Sequence, residues 1–190
     1  HCDLVFSGAR HTPTLTAAPE IADRLITCVA ATKTFNLAGA HVGACFTSNA
    51  ELKRRLDARI AASGLGSYNG FGMIATEAAW RTGEAWLDAL LIYLDDNRKL
   101  FDRRIEAAAP GARSMQLDAT YLAWVDFSKT GLKPDDVTER VAKRARIYAS
   151  PGSQFGPGGE TWLRFNFATP RPILEEALSR LDDAFEDLRK

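Results

Sequence analysis

Among 190 residues, the side chain best placed to do chemistry is Lys33. It follows an apolar, partly β-branched run, Leu25 to Val29, and two small residues, Ala30 and Ala31. The run reads as a buried strand of the parallel type, with the lysine in the turn at its C-terminal end. A lysine there is costly unless it has a task or an exit to water. Open α/β sheets bind ligands at that edge. A desolvated lysine also has its pKa lowered, which makes it an amine nucleophile and a Schiff-base former. A solvated loop lysine is the plain alternative on this local pattern alone.

Other chemistries lack their residues. An acyl-transferring Ser-x-x-Lys would need serine at position 30, which is Ala30, and no glycine precedes Lys33 closely enough for a phosphate-binding GxxxxGK. Gly64-Leu65-Gly66-Ser67-Tyr68-Asn69-Gly70-Phe71-Gly72 is GxGxxxGxG between two helical patterns, not a dinucleotide GxGxxG between strand and helix. His1, His11 and His41 form no metal-ligand spacing, and no metal is expected. Cys2, Cys28 and Cys45 show no CxxC spacing, and the last two are expected as buried small hydrophobes.

The run Thr32-Lys33-Thr34-Phe35-Asn36-Leu37-Ala38-Gly39 resembles the cofactor-lysine motif of pyridoxal 5'-phosphate (PLP) enzymes of the aspartate aminotransferase superfamily, fold type I. More narrowly it is similar to the cystathionine β-lyase (C–S lyase) branch, whose usual form is Ala-Pro-Ser-Lys-Thr-Phe-Asn-Leu-Ala-Gly. Here Ala31 and Thr32 replace the proline and the serine. The likeness continues in order. Thr120 to Asp126 resembles a small-domain strand, and Ser150 to Gly156 followed by Trp162 to Ala168 resembles the segment of the carboxylate-binding arginine. His1 falls where the family reads Asp-Glu-Ile-His, so the resemblance implies the C-terminal half of a longer enzyme.

What the resemblance implies is specific. PLP would be the cofactor and Lys33 the catalytic amine, forming the Schiff base and later moving a proton at the substrate's Cα. Arg164 would hold the amino-acid carboxylate, a task suited to a permanently charged bidentate fork. Thr32 and backbone amides would anchor the phosphate. The arginine that many aminotransferases carry eight residues after the lysine is His41 here, and their serine three residues before it is Ala30. His1 would lie near the ring hydroxyl and His11 near the entrance. Tyr121, Tyr68 and Asn69 are further substrate-binding candidates, the last two in a loop that reaches the site across a homodimer interface. The implied reaction is β-elimination of a thiol from cystathionine or an S-substituted cysteine, giving pyruvate and ammonia. An aminotransferase, a PLP-sensing regulatory domain and an inactive fragment are the alternatives.

The elements that must position these residues give an α/β fold class. Residues 1–110 would form part of a fold type I large domain, with a mixed sheet and helices, and residues 111–190 a small α+β domain. His41 to Phe46 reads as a second buried strand. Too little chain separates it from the first for a helical crossover, so the two should pair antiparallel. Ser48-Asn49 caps a helix over 50–62, in which Leu52, Leu56 and Ile60 repeat at i+4. A second helix covers Met73 to Trp80, and a third runs from about Glu84 to Ala108 and ends at Pro110-Gly111. Trp80 and Trp86 read as packing anchors.

Strands are expected over Met115 to Phe127, Arg146 to Ala149 and Trp162 to Phe167, with short and long helices opening at Pro134 and Pro172. On the third strand Leu163, Phe165 and Phe167 share one face, and Trp162, Arg164 and Asn166 the other. Lys+Arg and Asp+Glu are both 24, so nothing calls for nucleic acid or an anionic membrane. No apolar run approaches the roughly 20 residues of a membrane span. His1-Cys2-Asp3 lacks a signal-peptide pattern, and a cytoplasmic location is expected.

Overall fold

The computed structural model describes residues 1–189. Two compact units divide it, His1–Leu90 and Leu91–Lys190, and the division falls inside one continuous helix. The change of composition at Pro110-Gly111 marks the end of that helix.

In the first unit a helical turn, α1 (Thr14–Ala17), and a 3-10 turn at Pro19–Arg24 lead into strand β1 (Thr27–Val29). It pairs antiparallel with β2 (Ala44–Phe46), setting Thr27 opposite Phe46, Cys28 opposite Cys45 and Val29 opposite Ala44. Burial differs from the expectation. Only three residues of Leu25 to Val29 are strand, and Ile26, Thr27, Cys28, Cys45 and Phe46 are exposed. Both cysteines therefore face solvent rather than a core. Among the described residues β1 and β2 have only each other as partners, so neither face of this two-stranded ribbon is covered within this chain.

Helix α2 (Ala50–Ala62) starts where Asn49 caps it, the side-chain oxygen accepting from the N–H groups of Glu51 and Leu52 at 2.8 and 3.1 Å. Leu52, Leu56 and Ile60 form its half-buried stripe. Helix α3 (Gly70–Thr82) begins three residues before Met73, because Asn69 caps it by accepting from Gly72 N–H at 3.2 Å. Helix α4 (Glu84–Ala108) follows at once.

The core sits in the second unit. There α4 buries Leu94, Asn97, Phe101, Ile105 and Ala108, spaced three or four apart on one face. An antiparallel sheet of four strands runs β3 (Arg113–Ser114), β4 (Leu122–Asp126), β6 (Trp162–Asn166) and β5 (Ser150–Pro151) in spatial order. Its inner face carries Ala123, Val125, Leu163 and Phe165, continued by Phe127 and Phe167, all buried. Phe101 meets Phe165 and Phe167 at ring-centre distances of 5.4 and 6.4 Å. Helix α6 (Arg171–Ala184) adds Leu174, Leu178 and Leu181, and Phe185 beyond it stacks on Phe127 at 5.9 Å.

Two strand expectations shrink. Residues 115–121 are irregular before β4, and Arg146 to Ala149 is not a strand. Helix α5 (Pro134–Glu139) instead runs on as a π-helical turn over Arg140–Arg144, and Arg146 leaves it in the left-handed region at φ 53°. The chain reaches β6, its pairing partner, only at Ser150.

Candidate active site

Lys33 sits in a turn that follows β1 directly. The turn is closed by Phe35 N–H donating to Ala31 C=O and Leu37 N–H donating to Thr32 C=O, both at 2.9 Å. Asn36 supplies the left-handed residue, φ 54°, a conformation that asparagine tolerates better than most. Two side chains brace the turn. Thr34, only 2% exposed, donates its hydroxyl to Asp3 Oδ2 at 2.7 Å. Phe35 packs against Trp86 at 5.7 Å and lies over Gly83, where a Cβ would come within 2.4 Å of the Phe35 ring. A side chain at Gly83 would therefore displace the ring.

Between these braces Lys33 is exposed, and among the described residues its amine has no hydrogen bond or ion pair. Among the described residues no layer covers the strand before it, so the burial expected from the apolar run is not met within this chain. Thr32 is half-buried, and its hydroxyl likewise has no partner among the described residues. A primary amine and a free hydroxyl thus stand side by side on a fixed backbone.

The bond from Thr34 to Asp3 draws the first residues of the chain alongside this turn, anchored by Leu4 and Phe6, which are 0% and 5% exposed. His1 is exposed, and its carbonyl accepts from Leu4 N–H at 3.0 Å. His11 is exposed in an irregular stretch, and His41 is exposed in the left-handed region at φ 52°. Asn69 is occupied on both sides: its oxygen caps α3 while its amide donates to Ala40 C=O at 3.1 Å. At Gly72 a Cβ would stand 2.5 Å from that same carbonyl, so α3 abuts the segment after the lysine turn. Tyr68 projects from the loop, 69% exposed. Trp86 is a packing partner of Phe35, while Trp80 is 49% exposed on α3.

Arg164 belongs to the second unit, on the outer face of β6. It pairs in register with Trp124 on one side and Ser150 on the other. Its guanidinium lies 4.6 Å from the centre of the Phe155 ring, and Nη2 donates to Ser150 Oγ at 3.4 Å. Trp124 meets Phe155 edge-on at 5.4 Å and stacks on Trp162 at 5.5 Å. The cation is half-buried, and no carboxylate lies within ion-pair distance of it among the described residues. Its charge is steadied by a ring and a hydroxyl, which leaves the fork able to take an anion. Tyr121, just before β4, is half-buried, and burial pushes its phenol above the usual value. No cluster of metal-ligating side chains occurs among the described residues, and no helix is long and apolar enough to cross a membrane.

Sequence reasoning missed Asp3, Gly83, Ser150 and Phe155 as the groups that hold the two cations in place. Ser150 and Phe155 lay within a recognised motif, but their contact with Arg164 depends on strand register. Asp3 carried no signal, since its partner Thr34 is 31 positions away.

The chain matches the family described as aminotransferase class I and II over residues 1–181. It is 34% identical over 184 residues to cystathionine β-lyase PatB of Bacillus subtilis (strain 168), which covers 97% of this chain and 48% of that protein. Cystalysin from Treponema denticola, whose crystal structure contains a pyridoxal 5'-phosphate cofactor, superposes with a TM-score of 0.91 at 31% identity, covering 99% of this chain and 48% of its own. The PLP-bound C–S lyase from Staphylococcus hominis, in complex with L-cycloserine, gives a TM-score of 0.85 at 32% identity over 97% of this chain and 45% of its own. The chain therefore spans about half the length of the relatives it matches. A family match along nearly the whole sequence, with a shared fold under it, makes this chain a member of the aminotransferase class I and II family.

Proposed function

We propose that this chain is the lysine- and arginine-bearing half of a PLP-dependent C–S β-lyase. The observation that carries the reading is the unpaired Lys33 amine on a turn braced by Thr34–Asp3 and by Phe35–Trp86. The residues present fit the cofactor: a solvent-reaching amine, the adjacent Thr32 hydroxyl for a phosphate oxygen, and His1 in the segment tied to the same turn. When bound, PLP supplies an aldehyde carbon for an amine and a conjugated ring that takes up the electron pair released at the substrate's Cα.

The chain's own residues supply the rest. Lys33 would hold the cofactor covalently, give way to the substrate amine, and accept the Cα proton. Arg164 would fix the substrate carboxylate in two parallel hydrogen bonds, with Phe155 and Ser150 keeping the fork in one orientation. Tyr121, half-buried just before β4, would serve as a hydrogen-bond donor to the substrate. Tyr68 and Asn69 would border the site, and the complete enzyme would be a cytoplasmic homodimer. The division of labour would run as a cofactor-binding part up to residue 110 and a small domain from 111 to 190. With cystathionine and water the products are a free thiol, pyruvate and ammonia, the β-carbon–sulfur bond being the one broken. Relatives named cystathionine β-lyase and C–S lyase support this over an aminotransferase.

The test is to add PLP to the chain, reduce with borohydride and map the pyridoxyl group by peptide mass spectrometry. Labelling confined to Lys33 and lost in Lys33→Ala is the expected result. Label scattered over many lysines would refute the assignment. Pyruvate release from cystathionine, against keto-acid-dependent amino transfer, then separates lyase from aminotransferase.

A further inference from the structure

We propose that Gly152 and Gly159 are positioning residues for the substrate carboxylate: their backbone contact closes the neck of a loop and so holds the Phe155 ring over the Arg164 guanidinium. Both glycines are buried. A Cβ at Gly152 would stand 2.2 Å from the Gly159 carbonyl oxygen and 2.8 Å from both the Cβ and the carbonyl oxygen of Trp162. A Cβ at Gly159 would stand 2.3 Å from the Gly152 carbonyl oxygen. Carbon and oxygen come together in close contacts at about 3.3 Å, so one methyl on either glycine forces the neck open by about 1 Å. Nothing flexible is there to give way. Trp162 opens β6, and its N–H donates to the Gly159 carbonyl at 3.0 Å, so backbone lies on both sides of the contact.

Between the two glycines the chain makes a 3-10 turn over Gly152–Phe155 and comes back through Gly156 and Gly158, at φ 126° and 89°. Phe155 ends that turn, and its ring centre lies 4.6 Å from the Arg164 guanidinium. The same ring meets Trp124, which stands opposite Arg164 in the sheet. Ser150, the other contact of Arg164, is held outside the loop by the pairing of β5 with β6. Opening the neck therefore moves Phe155 and leaves Ser150 in place. A guanidinium without its ring samples more orientations, and a carboxylate must then order it on binding. All of these contacts lie within the second unit. The inference rests on Arg164 being the carboxylate-binding fork.

The experiment has two readouts. NMR of the full chain, labelled at arginine, follows the Arg164 side-chain protons, which the Phe155 ring current displaces upfield. Phe155→Leu should return them downfield, and Gly152→Ala and Gly159→Ala should do the same although both keep the phenylalanine. In the complete, PLP-loaded enzyme, methylthiopropionate and its amide serve as competitive inhibitors that differ only in the carboxylate. Gly152→Ala should weaken inhibition by the acid about threefold to thirtyfold, the span of a cation–π contact from exposed to desolvated sites, and leave inhibition by the amide unchanged. Adding Gly152→Ala to Phe155→Leu should bring no further loss, because both act on one contact. A glycine with a merely structural role would weaken acid and amide alike and add to Phe155→Leu, and that result overturns the proposal. So do unchanged Arg164 shifts in both glycine variants. If Arg164→Ala itself does not weaken the acid relative to the amide, the carboxylate reading falls, and the glycine assignment with it.

Discussion

Removing the hydroxyl of Thr34 should loosen the lysine turn by an amount that the burial of the two partners fixes. Thr34 is 2% exposed and donates at 2.7 Å to Asp3, whose carboxylate reaches solvent. A hydrogen bond to a charged group contributes about 1.5–3 kcal/mol, and an unsatisfied buried partner costs about 1–3 kcal/mol. In Thr34→Val the methyl fills the hydroxyl's space and the surviving partner, Asp3, turns to water. The cost then falls at the low end, about 1–1.5 kcal/mol. In Asp3→Ala the survivor is a hydroxyl sealed from solvent, so the cost should be larger, about 2–3 kcal/mol. The double variant should cost less than the sum, because both changes break one bond.

The assay is hydrogen exchange at the amides of Phe35 and Leu37, whose bonds to Ala31 and Thr32 close the turn. A change of 1.4 kcal/mol is tenfold in an opening equilibrium. Protection should therefore fall about tenfold in Thr34→Val and further in Asp3→Ala. If Thr34→Val costs more than Asp3→Ala, or the two costs simply add, the brace is not the bond described.

Two further outcomes test the second unit. Asn97, fully buried, donates from Nδ2 to the carbonyls of Phe167 and Thr169 at 3.0 and 2.9 Å. Asn97→Ala takes one donor from the Phe167 carbonyl, which keeps Thr169 N–H at 2.9 Å, and one from the Thr169 carbonyl, and should lower stability in urea by about 1–3 kcal/mol, with Asn97→Leu recovering only the volume-dependent part. The Arg140 guanidinium, hydrogen-bonded to Asp187 at 2.8 Å, holds that carboxyl at about 2. A depressed folded value means that the unfolded chain binds the proton more tightly. The stabilisation is present above the ordinary carboxylate value and is lost as pH falls from about 4 toward about 2. Thermal melts of Asp187→Asn should show a shallower decline across that interval, and an unchanged pH profile would remove the pair from the acid response.

The local grammar of the chain was enough for much of the fold. The helices over 50–62 and 84–108 follow from an asparagine cap, i+4 repeats and the Pro110-Gly111 stop, all short-range in sequence. The alternation through Trp162 to Phe167 likewise assigned Arg164 to the polar face before any partner strand was known. Lys33 was legible as a lysine delivered by a strand to a turn, and its surrounding motif as that of a known family. Tertiary structure decided what surrounds these residues. Burial of a strand depends on the layers above and below it, and no pattern within Leu25 to Val29 reports that, among the described residues, β1 pairs with β2 alone and sets the sulfurs of Cys28 and Cys45 in contact. The braces on each cation, Asp3 to Thr34 and Phe155 with Ser150 around Arg164, join residues distant in sequence. They follow from chain register and packing, which the order of amino acids along one segment does not encode.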